Sequence, residues 1–451
     1  MIRHVSVLLA ALALLAIMAT SCGSRTGLLA PNPNACEPVD SGLVLPVCDG
    51  STTTLSGTVF DPAGKNALYN VVVYVPWAQP APLPAGVTCD SCSDLYTGTP
   101  MVTALTDAAG HFVLTGVPAG DVPLVVQIGK WRRQFVAAGV AACQDNVVPS
   151  PALTLPRNRN EGDIPAIAVS TGGADTLECL FRRMGVDPSE YTGDPNGAGR
   201  IHIFQGAGHG HRAAPTTSPP APNSPSSLWD SEAHLARYDM VLLSCEGQET
   251  TGMNQQTLFD YAAAGGRVFA SHFHYAWFNT GPFGAHNLAT WLTGDNSIGN
   301  IDAVVTTTLA NGAAFPKGQA LAAWLANVNA LQPDGELPVL VARHNADLTA
   351  ANVSSQPWLV ADPSAAVPGA IQDFSFNTPL GAEAANQCGQ VVFSDMHIGA
   401  ASNDDPSLPV PDECAAVELS PQEKVVEFLV FNLASCVSPS NQAPQPPSPC
   451  P

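Results

Sequence analysis

The apolar positions change period once along the chain. From 51 to 155 they alternate: TLSGTVF, YNVVVYV and the two runs of MVTALTDAAGHFVLTGV set apolar side chains on every second residue, with Gly, Pro and Asp between the runs. A period of two marks half-buried strands, so residues 51–155 predict a small β-sandwich. The runs flanking Thr106–Gly110 predict a hairpin. KWRRQF at 130–135 predicts a strand with alternate side chains in water.

After LPRNRNEGD at 155–163 the pattern changes. IPAIAVST, RIHIFQG, DMVLLSC, GRVFASHFHY and QVVFSDMH are continuous apolar runs. TLECLFRRMG, DSEAHLARY, NQQTLFDYAAAG and SPQEKVVEFLVFNLA have helical spacing. Leu177, Leu180, Phe181 and Met184 share one helix face, and Ser420 with Glu423 three residues on forms a capping box. Strands alternating with helices predict an α/β domain over 160–437, with a mostly parallel, doubly wound, flavodoxin-like sheet.

The ends and the composition add a compartment. Residues 1–22 carry Arg3 and His4, then an apolar run, then ATSC; this resembles a bacterial lipoprotein signal with Cys22 as the lipidated residue. A secretory signal cut near Ser21 is the alternative, and the run is short for an uncleaved membrane span. Gly23 after Cys22 implies the outer membrane. Residues 23–50 then form a linker and 438–451 a Pro-rich, disordered tail. The net charge is −21 with four lysines among 451 residues, which excludes nucleic acid as a partner. The chain meets the membrane through its lipid anchor.

Two resemblances follow. SGTVFDPAGKNALYNVVVYV with TDAAGHFVLTGVPAGDVPLVVQ resembles the carboxypeptidase regulatory-like, or transthyretin-like, domain, interrupted here by PWAQPAPLPAGVTCDSCSDLYTGTP. It implies an accessory module. YDMVLLSCEG followed by LFDYAAAGGRVFASHFHYAWF is similar to class I glutamine amidotransferase-like folds and, among them, ThuA-like domains, with Gly265, Gly266 and His272 on the shared pattern. The pair of domains is similar to large bacterial envelope lipoproteins. In that order the nucleophile elbow falls on FASHFHY, which holds Ser271, His272 and Phe273 and no cysteine, while SCEG matches the loop that supplies oxyanion-hole amides. The implied glutaminase therefore lacks its cysteine.

Cys245 is a disulfide half, a buried thiol or a reactive one. The chain has twelve cysteines. With Cys22 lipidated and Cys450 in the tail, ten remain for an oxidising envelope. The inferred topology places Cys245 opposite Cys414 and Cys388 opposite Cys436, and Cys36 with Cys48 closes a short loop. His272 and His274, two apart, share a strand face, as do Asp395 and His397. These four are candidate ligands for a divalent ion, zinc or manganese, with Glu246 and His272 as candidate catalytic groups. Structural histidines are the competing reading. His286 is a lesser contributor. HGH at 209–211 and the acidic run 402–413 read as solvated loops, and STGGAD at 170–175 as a weak anion site. Two functions remain: a non-catalytic surface lipoprotein acting in binding of a carbohydrate or protein ligand, adhesion or scaffolding, or a metal-assisted hydrolase of sugar-related substrates.

Overall fold

Among the described residues of the first third of the chain stand eight strands: β1 (Thr54–Phe60), β2 (Val72–Pro76), β3 (Pro100–Leu105), β4 (His111–Thr115), β5 (Gly120–Ile128), β6 (Trp131–Val140), β7 (Asp145–Val147) and β8 (Leu153–Thr154). They divide between two four-stranded sheets. One has the order β4-β1-β7 with β8 also on β1, and the other β3-β2-β5-β6. The computed structural model describes residues 42–89, 95–206, 224–399, 403–405 and 408–449. Cys22, Cys36, the HGH motif and Cys450 lie outside them.

The expected hairpin across Thr106–Gly110 does not pair with itself. β3 lies on β2 and β4 on β1, so the turn carries the chain from one sheet to the other. Thr106 fixes the crossing, because its hydroxyl accepts from the Val71 amide (2.9 Å) and donates to the Leu68 carbonyl (2.5 Å). Asp107 closes the turn by accepting from Ala109 and His111 amides (2.8 and 3.0 Å). KWRRQF is a strand, but Arg132 is buried against Asp163 (2.8 Å) and is not a solvated side chain.

The remaining strands are β9 (Ile167–Ser170), β10 (Tyr191–Thr192), β11 (Ile201–Phe204), β12 (Met240–Leu243), β13 (Arg267–Ser271), β14 (Thr290–Trp291), β15 (Ser297–Val305), β16 (Leu337–Arg343), β17 (Ala346–Asp347), β18 (Ser355–Ala361), β19 (Ile371–Thr378) and β20 (Gly389–Ser394). Ten of them make one mixed sheet, β10-β11-β9-β12-β13-β20-β19-β18-β15-β16, and β14 pairs with β17 apart from it. The six strands from β10 to β20 run parallel. From β20 to β16 every pairing is antiparallel. The sheet is therefore mixed, with five parallel pairings and four antiparallel ones. The chain leaves at β13, builds β15, β16, β18 and β19, and returns as β20 beside β13.

Seven α-helices among the described residues accompany the strands: α1 (Leu177–Arg183), α2 (Ser226–Trp229), α3 (Glu232–Leu235), α4 (Gln255–Ala263), α5 (Gly281–Gly284), α6 (Pro316–Asn327) and α7 (Pro421–Ala434). Leu177, Leu180, Phe181 and Met184 are buried as the spacing requires. The Ser420–Glu423 capping box forms. DSEAHLARY, expected as one helix, holds only the four-residue α3, and α2 precedes it. No helix among the described residues is long and apolar enough to cross a membrane.

One hydrophobic core runs from β1–β6 through α1 to α7. Trp131 meets Phe431 edge-on at 5.9 Å and Tyr69 stacks on Phe428 at 5.6 Å. Gly129 makes the contact possible: with φ +54, a Cβ there would stand 1.8 Å from the Ala434 carbonyl oxygen. At the same seam Glu427 of α7 lies fully buried beside Asp61, with Asn66 Nδ2 donating to its Oε2 (2.6 Å).

Burial and the Asp61 charge push Glu427 well above the carboxylate range, and burial raises Asp61 to about 6. The folded chain therefore holds more protons here than the unfolded one. Stability from this pair is complete below the unfolded value near 4 and is lost as pH rises through about 6 and beyond. Each proton so held contributes a slope of up to about 1.4 kcal/mol per pH unit. Glu427→Gln should flatten the fall in unfolding free energy between pH 5 and 8, measured by denaturant titration. An unchanged slope would remove the pair as its source.

Among the described residues the disulfides are Cys48–Cys143, Cys89–Cys388 and Cys179–Cys414, with Cα separations of 5.5, 5.2 and 5.1 Å. They replace all three expected pairings. Cys388 opens β20 at the edge where the loop before Cys89 packs, Val87 donating to the Ala236 carbonyl (2.9 Å). Cys414 is drawn to α1 by the Arg183–Asp404 pair (2.6 Å), away from Cys245. Cys143 reaches Cys48 because its amide donates to Thr53 Oγ1 (2.7 Å). Cys245 is a buried free thiol.

Candidate functional site

Parallel strands bring their C-terminal ends to one edge, where α/β sheets hold ligands. β9, β12, β13 and β20 are neighbours in that order, and the loops leaving them meet. A Cβ on Gly172, after β9, would stand 2.1 Å from the Cys245 carbonyl oxygen, so only glycine allows the approach. Buried Asp175 then ties the other three loops together. Its Oδ2 accepts the Cys245 amide (3.2 Å) and the Ser271 hydroxyl, and its Oδ1 accepts the Ile398 amide (2.7 Å). STGGAD thus supplies its own carboxylate to these amides.

β13 stops at Ser271, and His272 follows with φ +39. Few residues other than glycine adopt this left-handed backbone, and such strain gathers at functional turns. A strained turn at a strand end is the geometry that exposes a nucleophile in α/β hydrolases; here a histidine occupies it. Residues His272–Trp277 continue as a 3-10 helix. The expected shared strand face of His272 and His274 is lost, because the period of two ends at Ser271. Asp395 and His397 likewise follow β20, which ends at Ser394.

The structure assembles His272 and His397 with Cys245. His272 Nδ1 lies 3.4 Å from Cys245 Sγ and 3.1 Å from His397 Nε2. His272 Nε2 lies 3.1 Å from the Asp295 carbonyl oxygen. A carbonyl only accepts, so Nε2 carries the proton and Nδ1 presents its lone pair to the sulfur and to His397. Burial, then His397 and Arg343, hold His272 down to about 3, and burial with Arg343 holds His397 down to about 4. Both rings are neutral at pH 7. Burial and Asp175 push the Cys245 thiol far above its ordinary value, although the amides of Phe273 and Gly247 face the sulfur.

The other expected ligands point elsewhere. His274 is fully buried, with Nδ1 against the Ser271 carbonyl (2.9 Å), and burial holds it down to about 4. Asp395 accepts the Asn345 amide (2.6 Å) and is pushed well above the carboxylate range by burial and by Asp373. A carboxyl kept neutral is a poor metal ligand. Asp373, raised to about 7 by burial, is its neighbour. Glu246 is buried alongside Gly206 and outside the Cys/His group. His286 stacks on Phe259 at 5.7 Å. Among the described residues, His272 and His397 are thus the candidate ligands that the fold unites, and their third partner is Cys245.

Asp175, Asp295 and Arg343 did not stand out in the sequence. Arg343 Nε holds the Asp295 carboxylate (3.1 Å), whose backbone oxygen orients His272. Asp175 sat in a segment legible only as glycine-rich. Its signal was a carboxylate directly after a buried strand, at the edge where loops converge.

No family model matches the chain, and no curated protein does. Among solved structures, a ThuA-like protein from Bacteroides uniformis aligns with 9% identity over 58% of this chain and 88% of its own, at a TM-score of 0.30. A chain from a type II cohesin–X-dockerin complex of Acetivibrio cellulolyticus aligns with 14% identity over 32% of this chain and 78% of its own, at a TM-score of 0.16. Likenesses this weak carry no argument about chemistry, and the site is read from its own geometry.

Proposed function

We propose that this protein is a lipid-anchored protein of the cell envelope whose amidotransferase-like half, residues 160–437, binds a ligand at the surface without amide hydrolysis. Residues 51–155 act as an accessory β-sandwich of the carboxypeptidase regulatory-like kind, and Cys22 carries the lipid in the outer membrane. The ligand is a carbohydrate or a protein.

The observation that carries the reading is His272 in the strained turn after β13. Acyl transfer needs an accessible nucleophile at that turn, and imidazole with Nδ1 turned inward to Cys245 is not one. Cys245 itself comes from the neighbouring strand end, is fully buried, and keeps its proton. Three disulfides support an oxidising compartment. The signal-like residues 1–22 support the anchor, and the share of buried Trp, Tyr and Phe between β12 and β20 supports a rigid scaffold.

Ammonia release from glutamine by the purified chain tests this. No release above that of Cys245→Ala is expected. Turnover that disappears in both Cys245→Ala and His272→Ala would overturn the reading.

A further inference from the structure

We propose that Cys245, His272 and His397 form a metal centre for a borderline divalent ion of the zinc class. The three donor atoms, Cys245 Sγ, His272 Nδ1 and His397 Nε2, all lie within 4.8 Å of one another, and all three residues are buried.

The spacing fits. Zinc bonds of about 2.3 Å to sulfur and about 2.0–2.1 Å to nitrogen, at tetrahedral angles, put sulfur about 3.6 Å from nitrogen and nitrogens about 3.3 Å apart. The observed separations are 3.4 Å for Cys245 Sγ to His272 Nδ1 and 3.1 Å for His272 Nδ1 to His397 Nε2.

The hydrogen bonding fits as well. The Asp295 carbonyl fixes the His272 proton on Nε2, as outer partners of metal-bound histidines do. That leaves one lone pair on Nδ1 facing two groups. A proton serves only one of those contacts, whereas a cation on that side serves both. The amides of Phe273 and Gly247 face the sulfur, an arrangement that suits a thiolate. Asp175, through the Cys245 amide, and the Arg343–Asp295 pair hold the loops from the sides.

The binding step balances simply. Cys245 releases its thiol proton to solvent and forms the sulfur–metal bond, while both imidazoles stay neutral, His272 with its proton on Nε2 and His397 with its proton moved from Nε2, which then binds the metal, to Nδ1. The centre then carries a formal charge of +1, with one tetrahedral vertex left for a small ligand. One thiolate and two imidazoles exclude magnesium and calcium and favour zinc over manganese.

Cobalt(II) titration of the full chain with its disulfides intact, made without a histidine tag, tests the centre, with zinc as competitor. We expect one cobalt per chain, visible tetrahedral bands and a sulfur-to-cobalt charge-transfer band, all displaced by zinc. Cys245→Ser should lose the charge-transfer band. His397→Gln, at a position that reaches the surface slightly, should weaken binding at least about tenfold. His274→Gln, beside the centre but not in it, should bind as the parent does. A folded parent chain that binds no stoichiometric cobalt, or equal binding by the parent and His397→Gln, would overturn the centre. Ammonia release from glutamine is scored separately, so either proposal can fail without the other.

Discussion

Replacing Arg183 with methionine should lower the unfolding free energy by about 3–5 kcal/mol. The guanidinium is almost wholly buried in α1 and grips two carboxylates from distant parts of the chain, Asp404 at 2.6 Å and Glu423 at 2.5 Å. Glu423 is also the capping residue of α7, where its Oε2 accepts the Ser420 amide (2.8 Å). Removing the arginine strands two negative charges away from water and loosens the start of α7. The loss comes from the stranded charges more than from the missing ion pair. Adding Asp404→Asn and Glu423→Gln to Arg183→Met should therefore restore much of the stability, a non-additive result that denaturant unfolding of the four chains would read. A single-variant loss under about 1 kcal/mol would mean that water reaches the triad.

Local signals in the sequence were strong where one segment decides its own structure. The helical face of α1, the capping box of α7 and the strands β1, β9, β12 and β20 all stand where period and punctuation put them. Signals failed where distant segments decide. Thr106 holds the loop before β2, so an apparent hairpin became a crossing between sheets. The meander from β15 to β19 interrupts the parallel order, and no local pattern told where β20 would insert. Disulfide pairing depended on that order, and the expected partners of Cys388 and Cys414 changed with it.

The site was legible in part. His272 and His397 were recognisable as histidines at strand ends, and the left-handed turn stands at the first of them. A two-residue period then grouped His274 and Asp395 with them. The backbone cancelled that period by turning left-handed at His272, where φ is +39. The same turn aims Nδ1 at Cys245, for which the sequence leaves a disulfide, a buried thiol and a reactive thiol open. Only the folded chain shows that Asp175 binds the Cys245 amide, the Ser271 hydroxyl and the Ile398 amide at once.

The sheet edge is built around a closed, non-nucleophilic Cys245. Its thiol is fully buried, and each unit by which burial raises its pKa cuts the thiolate fraction tenfold. Alkylation must then wait for local opening, which in a packed core suppresses reaction on the order of a thousandfold or more. The direct measurement is native-state labelling with iodoacetamide at pH 8, with the modified cysteine mapped by mass spectrometry and the urea-unfolded chain as reference. Cys245 should stay unlabelled in the native chain over a time that labels it completely when unfolded. Rapid native labelling of Cys245 that slows in His272→Ala would show an activated thiol and contradict the account.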